Sequence, residues 1–139
     1  MKIEKKKKDY KAIENDQEAF EKFKKNFVKQ SLRRASYRWP FKHMAKNIQR
    51  IERGFYRCES CQGSFGPKEI NLDHKEAVED IKTGFINWDK FVDRLFVKTE
   101  GFQVLCLTCH DAKTLVENEQ RRSNGQKAIN RRSKKKKKK

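Results

Sequence analysis

Four cysteines in two pairs, Cys58-x-x-Cys61 and Cys106-x-x-Cys109, with 44 residues between them, constrain this chain more than any other feature. Two such knuckles supply four thiolates, enough to close a tetrahedral zinc site with Zn–S bonds of about 2.3 Å. Gly63, just behind the first pair, is expected to relieve the tight turn that aims backbone amides at sulfur. A thioredoxin-like redox motif needs a single pair in a βαβ setting, which two pairs in a basic chain fit poorly. Disulfides need an oxidising compartment. The start, Met1-Lys2-Ile3-Glu4 and then four lysines, carries no apolar segment and does not read as a secretory signal. The expectation is a structural Zn2+ on Cys58, Cys61, Cys106 and Cys109. With all four positions taken by sulfur, that metal staples the fold and does not catalyse. Its binding, on the order of 10 kcal/mol or more, is folding energy, which a small domain needs.

Charge divides the chain further. Its 139 residues hold 36 Lys and Arg against 19 Asp and Glu, a net +17, and only 35% are apolar. The length suits one domain, or a smaller domain with arms. No apolar run approaches the roughly 18 residues of a membrane span. An excess charge of this size points to a polyanion, usually nucleic acid. It argues against a secreted scaffold, a membrane protein and an enzyme of small neutral metabolites. Residues 1–50 carry +10, residues 51–115 carry −2 and residues 116–139 carry +9. The domain reading is therefore a basic helical arm over 1–53, a zinc-stapled module over 54–116, and a basic, mostly disordered tail over 117–139. Lys5–Lys8 and the six lysines Lys134–Lys139 bury nothing and are expected to stay solvated. The arms are expected to set affinity through phosphate contacts, not chemistry. No stretch amounts to base readout; Arg33, Arg34 and Arg38, beside Tyr37 and Trp39, are the expected specific DNA contacts.

Periodicity supplies the elements. Ile13, Phe20, Phe23, Phe27 and Leu32 predict a helix from about Ala12 to Ala35, with Asn15 or Asp16 as its cap. Pro40 ends it, because the residue before proline avoids the α region. A second helix is expected from Phe41 to Arg53, closed by Gly54. Phe55–Arg57 reads as a strand, Ser64–Lys68 as a turn, and Ile70–Leu72 as a strand running to Asp73-His74. Asn87–Phe96 is expected to be a helix capped by Asn87, Phe102–Cys106 a strand, and the last helix to start near Cys109. The aromatic stripes Phe20, Phe23, Phe27 and Trp88, Phe91 are expected to be core, not base-stacking surfaces.

Two histidines border the cysteine framework: His74 directly follows Asp73, and His110 directly follows Cys109. If the two pairs meet at zinc, both are drawn into one neighbourhood. An aspartate and two histidines in one small site can bind a hard divalent ion and leave an imidazole as a base. His43 belongs to no motif and is expected at the surface. Tyr56-Arg57-Cys58-x-x-Cys61, Leu72-Asp73-His74, Trp88-Asp89-x-Phe91 and Gln103-Val104-Leu105-Cys106-x-x-Cys109-His110-x-x-Lys113-Thr114 together resemble the HNH endonucleases with a four-cysteine zinc site, especially the small phage-encoded members. The upstream Leu32-Arg33-Arg34-Ala35-Ser36-x-Arg38-Trp39-Pro40 also looks like the leader of such phage proteins.

The resemblance implies an α+β fold: a ββα-metal finger with a structural zinc, preceded by two basic helices. It implies that His74 is the general base, and that Asp73 and His110 hold a catalytic divalent ion (Mg2+, Mn2+ or Ni2+). The products would be a 5′ phosphate and a 3′ hydroxyl. Lys113, one helical turn beyond His110, is a candidate phosphate contact, against a solvated helix face as the plain alternative. A phage terminase or packaging partner, or a homing role, follows from the look of the relatives alone, as does a location in the bacterial host's cytoplasm. The chain departs from the family at Gly101, where an Asn normally braces the loop carrying the base; the Glu100 side chain or a backbone carbonyl is then left to do so. The family's proline after the base is also missing from Asp73-His74-Lys75-Glu76-Ala77, a change expected to be harmless. The Gly101 departure keeps a second function in play, a non-catalytic zinc-ribbon protein that binds nucleic acid.

Overall fold

The computed structural model describes residues 9–136, with side chains described as far as Gly125. The expectations for Lys5–Lys8, and that Lys134–Lys139 stay solvated, lie outside the described residues and side chains. The chain is mixed α/β with two small antiparallel sheets, and it divides into two compact units, one ending at Tyr37 and the other beginning at Arg38. The division falls well before Arg53, so the segment after Arg38 joins the cysteine module and not the N-terminal arm.

The first unit is two helices, α1 (Tyr10–Asn15) and α2 (Gln17–Ser36), where one was expected. Asp16 is the reason for the break. Its backbone is extended, and its carboxylate accepts from the backbone N–H groups of Glu18 (3.0 Å) and Ala19 (3.1 Å). A side chain that satisfies the orphan N–H groups of a helix start ends whatever precedes it. Tyr10 meets Phe23 edge-on at 5.9 Å. Phe20 and Phe27, expected as core, are exposed.

In the second unit, α3 (Pro40–Ile48) opens with proline at its first position, where the missing N–H is no loss. It stops five residues before Arg53. Residues 50–52 instead form β1 (Arg50–Glu52), paired antiparallel with β2 (Phe55–Arg57) around Gly54 at φ +83°. The left-handed turn at Gly54 thus closes a hairpin and does not cap a helix. The expected turn at Ser64 holds a short strand, β3 (Ser64–Phe65), on the other edge of β2.

The second sheet carries the expected pair, β4 (Ile70–His74) and β5 (Phe102–Cys106), in antiparallel register from Ile70 opposite Cys106 to His74 opposite Phe102. Between them lies α4 (Trp88–Leu95), whose first turn is capped by Asn87 accepting from Lys90 N–H at 2.8 Å. Phe91 and Leu95 from α4, with Phe102, Val104 and Leu105 from β5, are almost completely buried, while Trp88 is 39% exposed. Ala45 of α3 is also buried, and Trp39, just before α3, meets Phe41 at a tilt and Phe96 edge-on, both at 5.2 Å, and donates its indole N–H to the Val97 carbonyl at 2.7 Å.

The last helix, α5 (Leu107–Lys136), packs against β4 and β5. It continues through most of the tail expected to be disordered from residue 117. Its sequence over that stretch contains no proline, and Lys113–Glu117 (3.2 Å) and Arg121–Glu117 (3.9 Å) pair at i,i+4 spacing, both of which favour propagation once a packed first turn has nucleated the helix. Among the described residues, no helix is long and apolar enough to cross a membrane.

Candidate metal centre

The two cysteine pairs meet. The four sulfur atoms lie within 4.8 Å of one another, and Cys61 Sγ is 4.0 Å from Cys106 Sγ. Zn–S bonds of about 2.3 Å in a tetrahedron place sulfurs about 3.8 Å apart, so the cluster fits a structural metal such as zinc. Local backbone builds each knuckle. Cys58 N–H bonds the Gly63 carbonyl and Gln62 N–H the Cys58 carbonyl, both at 2.9 Å. The left-handed residue is Gln62, at φ +62°, and not Gly63. Gly63 is needed for space: a Cβ there would sit 2.7 Å from the Phe65 ring. The second knuckle is a helix start, with Cys109 N–H facing Cys106 Sγ at 3.4 Å.

Glu59 ties the knuckles together. Its N–H donates to the Val104 carbonyl (2.9 Å) and its carboxylate accepts from Val104 N–H (2.6 Å). Glu59 thereby pairs with the free edge of β5 and carries Cys58 and Cys61 to Cys106. On the other side, Leu107 N–H bonds the Glu69 carbonyl at 3.0 Å. The thiols share their protons unevenly. Burial disfavours a thiolate at Cys58, but backbone groups of Cys61, Cys106 and Ser60 and the Cys61 side chain outweigh it, drawing its pKa down to about 6. At Cys109 the Ser60 side chain lowers the pKa, yet the neighbouring sulfurs of Cys106, Cys58 and Cys61, together with burial, raise it to about 11. A fixed negative charge resists further ionisation nearby; a cation at the centre removes that penalty for all four sulfurs at once.

The two histidines stand on different elements, His74 at the end of β4 and His110 in the first turn of α5, which packs on β4. His74, at the end of β4, packs its ring on Phe102 (4.8 Å) and directs Nε2 to the Leu95 carbonyl at 2.9 Å. A carbonyl can only accept, so Nε2 carries the hydrogen and Nδ1 the basic lone pair. His74 lines a groove with Lys75, Lys90 and Arg94 and, against them, Glu76, Asp93 and Glu100. His110, in the first turn of α5, has a buried Nδ1 with no hydrogen-bond partner; the Asp111 carboxylate is 3.7 Å away. A buried nitrogen left without a partner is one of the few positions in a fold suited to a metal or water.

Asp73 is already paired. Its Oδ2 accepts from Lys113 Nζ at 2.5 Å and from Gln103 Nε2 at 3.2 Å. Lys113, expected to reach phosphate or solvent, also donates to the His74 carbonyl (2.7 Å) and pairs with Glu117 (3.2 Å). Lys42 of α3 is near enough for Asp73 to act on it: burial pulls its pKa below the ordinary lysine value, and Asp73 pushes the other way. Among the described residues, the four cysteines are the one group of three or more His, Cys, Asp or Glu side chains gathered for a metal; Asp73, His74 and His110 do not form a second.

The backbone at Gly101 holds the segment that follows His74. The Gly101 carbonyl accepts from Lys75 N–H at 2.9 Å, so the residue after His74 is held by backbone. A Cβ on Gly101 would meet Val97 Cγ2 at 2.5 Å and Cβ at 2.7 Å. No larger residue fits there unless Val97 moves. Arg33 and Arg34 end α2 in the first unit and are exposed, and Arg38, also exposed, begins the second. Trp39, in contrast, turns into the module. His43 is exposed. Gln103, Lys42, Glu117 and the Leu95 carbonyl were not singled out from sequence. Gln103 alone had a signal: pairing β4 with β5 through Leu72 and Val104 sets it opposite Asp73.

No family model matches this chain, and neither a curated protein nor a solved structure is significantly similar to it. What fold and site define is a mixed α/β protein whose four-cysteine cluster can hold a structural metal such as zinc.

Proposed function

We propose that this chain is a metal-dependent DNA endonuclease of the HNH type, with the ββα-metal arrangement formed by β4, β5 and α5. The observation that carries the reading is the placement of Asp73-His74 at the end of β4 and of His110 in the first turn of the helix that packs on it. His74 has an oriented ring with Nδ1 as its basic nitrogen, and His110 has a buried nitrogen in need of a partner. One carboxylate oxygen and one imidazole suit Mg2+, Mn2+ or Ni2+. Held by Asp73 and His110, that ion would supply Lewis-acid stabilisation of the charge developing on the phosphate and on the leaving oxygen. His74 Nδ1 takes a proton from water as the water oxygen bonds to phosphorus and the bond to the 3′ oxygen breaks. Arg33, Arg34 and Arg38 make the specific DNA contacts, the groove's Lys75, Lys90 and Arg94 hold phosphates, and the remaining lysines add affinity that salt weakens. Phage origin, action in a bacterial host's cytoplasm, and a packaging or homing role extend this proposal by resemblance.

A second reading, a zinc-ribbon protein that binds nucleic acid without cutting it, is favoured by one observation: Lys113 already neutralises Asp73. The test is nicking of supercoiled plasmid across Mg2+, Mn2+ and Ni2+, with His74→Ala beside it. Loss of a general base lowers the rate about 10²–10⁴-fold, and DNA binding should persist. Absence of cleavage by the unaltered protein with every ion would leave the binding-only reading.

A further inference from the structure

The contact that favours the non-catalytic reading also suggests a device. We propose that Lys113 is an internal counter-ion that occupies Asp73 until a divalent cation displaces it, and that Glu117 receives it when that happens. The inference rests on the reading of Asp73 as a ligand for a divalent ion.

An ammonium has three hydrogens, and Lys113 meets three oxygens: Asp73 Oδ2 at 2.5 Å, the His74 carbonyl at 2.7 Å and Glu117 Oε1 at 3.2 Å. All three side chains are largely buried. A hard cation on Asp73 would stand next to Nζ, and two positive charges cannot share one carboxylate oxygen at that separation without strong repulsion. Glu117 lies one turn along α5 on the same face, already within ion-pair reach, and Arg121 holds its other oxygen at 3.9 Å. A short rotation of the lysine stem therefore transfers the ammonium from one carboxylate to the other, and the pair Asp73–Glu117 keeps one partner for each cation. In the cation-free state the same contact holds α5 to β4 and keeps the ligand position formed.

The exchange has a signature that a fixed structural ion pair lacks. Lys113→Met keeps the stem and removes the competitor, so Mn2+ should bind on the order of tenfold more tightly, within the usual range of coupling between sites. Glu117→Gln removes the acceptor of the displaced ammonium and should weaken Mn2+ binding severalfold when Lys113 is present. In the Lys113→Met background it should change nothing. The measurement is titration of Mn2+ into the zinc-loaded full chain, reading free Mn2+ by electron paramagnetic resonance, with Asp73→Asn as control. Mn2+ affinity lost in Asp73→Asn but unchanged or lower in Lys113→Met would overturn the exchange alone. An equal effect of Glu117→Gln in both backgrounds would do the same; should Lys113→Met not fold, an unchanged Mn2+ affinity in Glu117→Gln alone would overturn the exchange. Affinity indifferent to Asp73→Asn would overturn the ligand reading and the exchange with it.

Discussion

The N-terminal helices and the cysteine module use the same apolar residues to opposite ends. In α2, phenylalanines recur at helical spacing, yet Phe20 and Phe27 are 39% and 63% exposed and Ser36 is the helix's one buried residue. In α4, with the same kind of stripe, Phe91 is 2% exposed and Leu95 1%. The helices do not differ in pattern. They differ in what is available to cover them. The module joins β4 and α3 to β5 and buries Phe91 and Leu95 of α4, while the two cysteine pairs and Glu59 tie its distant segments together. Among the described residues, the N-terminal unit has only a six-residue helix to offer. An apolar stripe specifies a helix; a core also needs a second layer.

The strongest way to break that contrast is to remove the staple. Stripping metal with a chelator, or replacing Cys58 with Ser, should unfold the module, since structural zinc contributes on the order of 10 kcal/mol. Hydrogen exchange should show β4, β5 and α4 losing protection while α2 keeps what it has. Equal loss in both units would mean that the two depend on one another.

Single side chains should sharpen it. Phe91→Ala removes a fully buried ring and should cost about 3–5 kcal/mol, whereas Phe27→Ala should stay within about 0.5 kcal/mol, both read from denaturant unfolding of the metal-loaded chain. A large loss at Phe27 would reveal a layer over α2.

Gly101 tests packing inside the module. On the proposed HNH reading, Asn at this position looks from sequence like a gain. With Val97 atoms 2.5 and 2.7 Å from the site of a Cβ, Gly101→Asn should instead destabilise by about 1–3 kcal/mol as an overpacked site. Val97→Ala should recover part of the loss if the clash is the cause. A stable, more active Gly101→Asn protein would mean that backbone carbonyls do not already brace the His74 segment.

Gly101 also marks where legibility ended. Cysteine spacing named all four sulfurs of the cluster, and alternation placed β4 and β5 and so the positions of Asp73, His74 and His110. These follow from local period and ligand chemistry, which a sequence carries openly. What lies between segments was hidden. That Lys113 would turn back to Asp73 depends on the angle of α5 against the ribbon. That Gly101 answers to Val97 depends on a contact within one turn that no period encodes. β1 was missed because Met44, Ile48 and Ile51 recur at helical spacing, and only pairing with β2 shows that the chain has left the helix by Arg50. The continuation of α5 was missed because a lysine-rich tail was read as isolated, not as the extension of an already nucleated helix.

The smallest expected effects come from the caps, which compare the two units at one interaction type. Asp16 accepts from two backbone N–H groups at the start of α2, and Asn87 accepts from one at the start of α4. Each should contribute about 1 kcal/mol, but the loss should be felt differently. In the module, Asn87→Ala lowers the stability of a cooperative unit whose helix is pinned by Phe91 and Leu95, so the midpoint of unfolding shifts and the helix persists below it. In α2 no buried stripe holds the helix once its first turn loosens. Asp16→Ala should therefore fray residues 17–20, and exchange at those amides should speed up severalfold with no shift in the module's midpoint. If Asp16→Ala moved that midpoint instead, the two units would be one in energy despite their different cores.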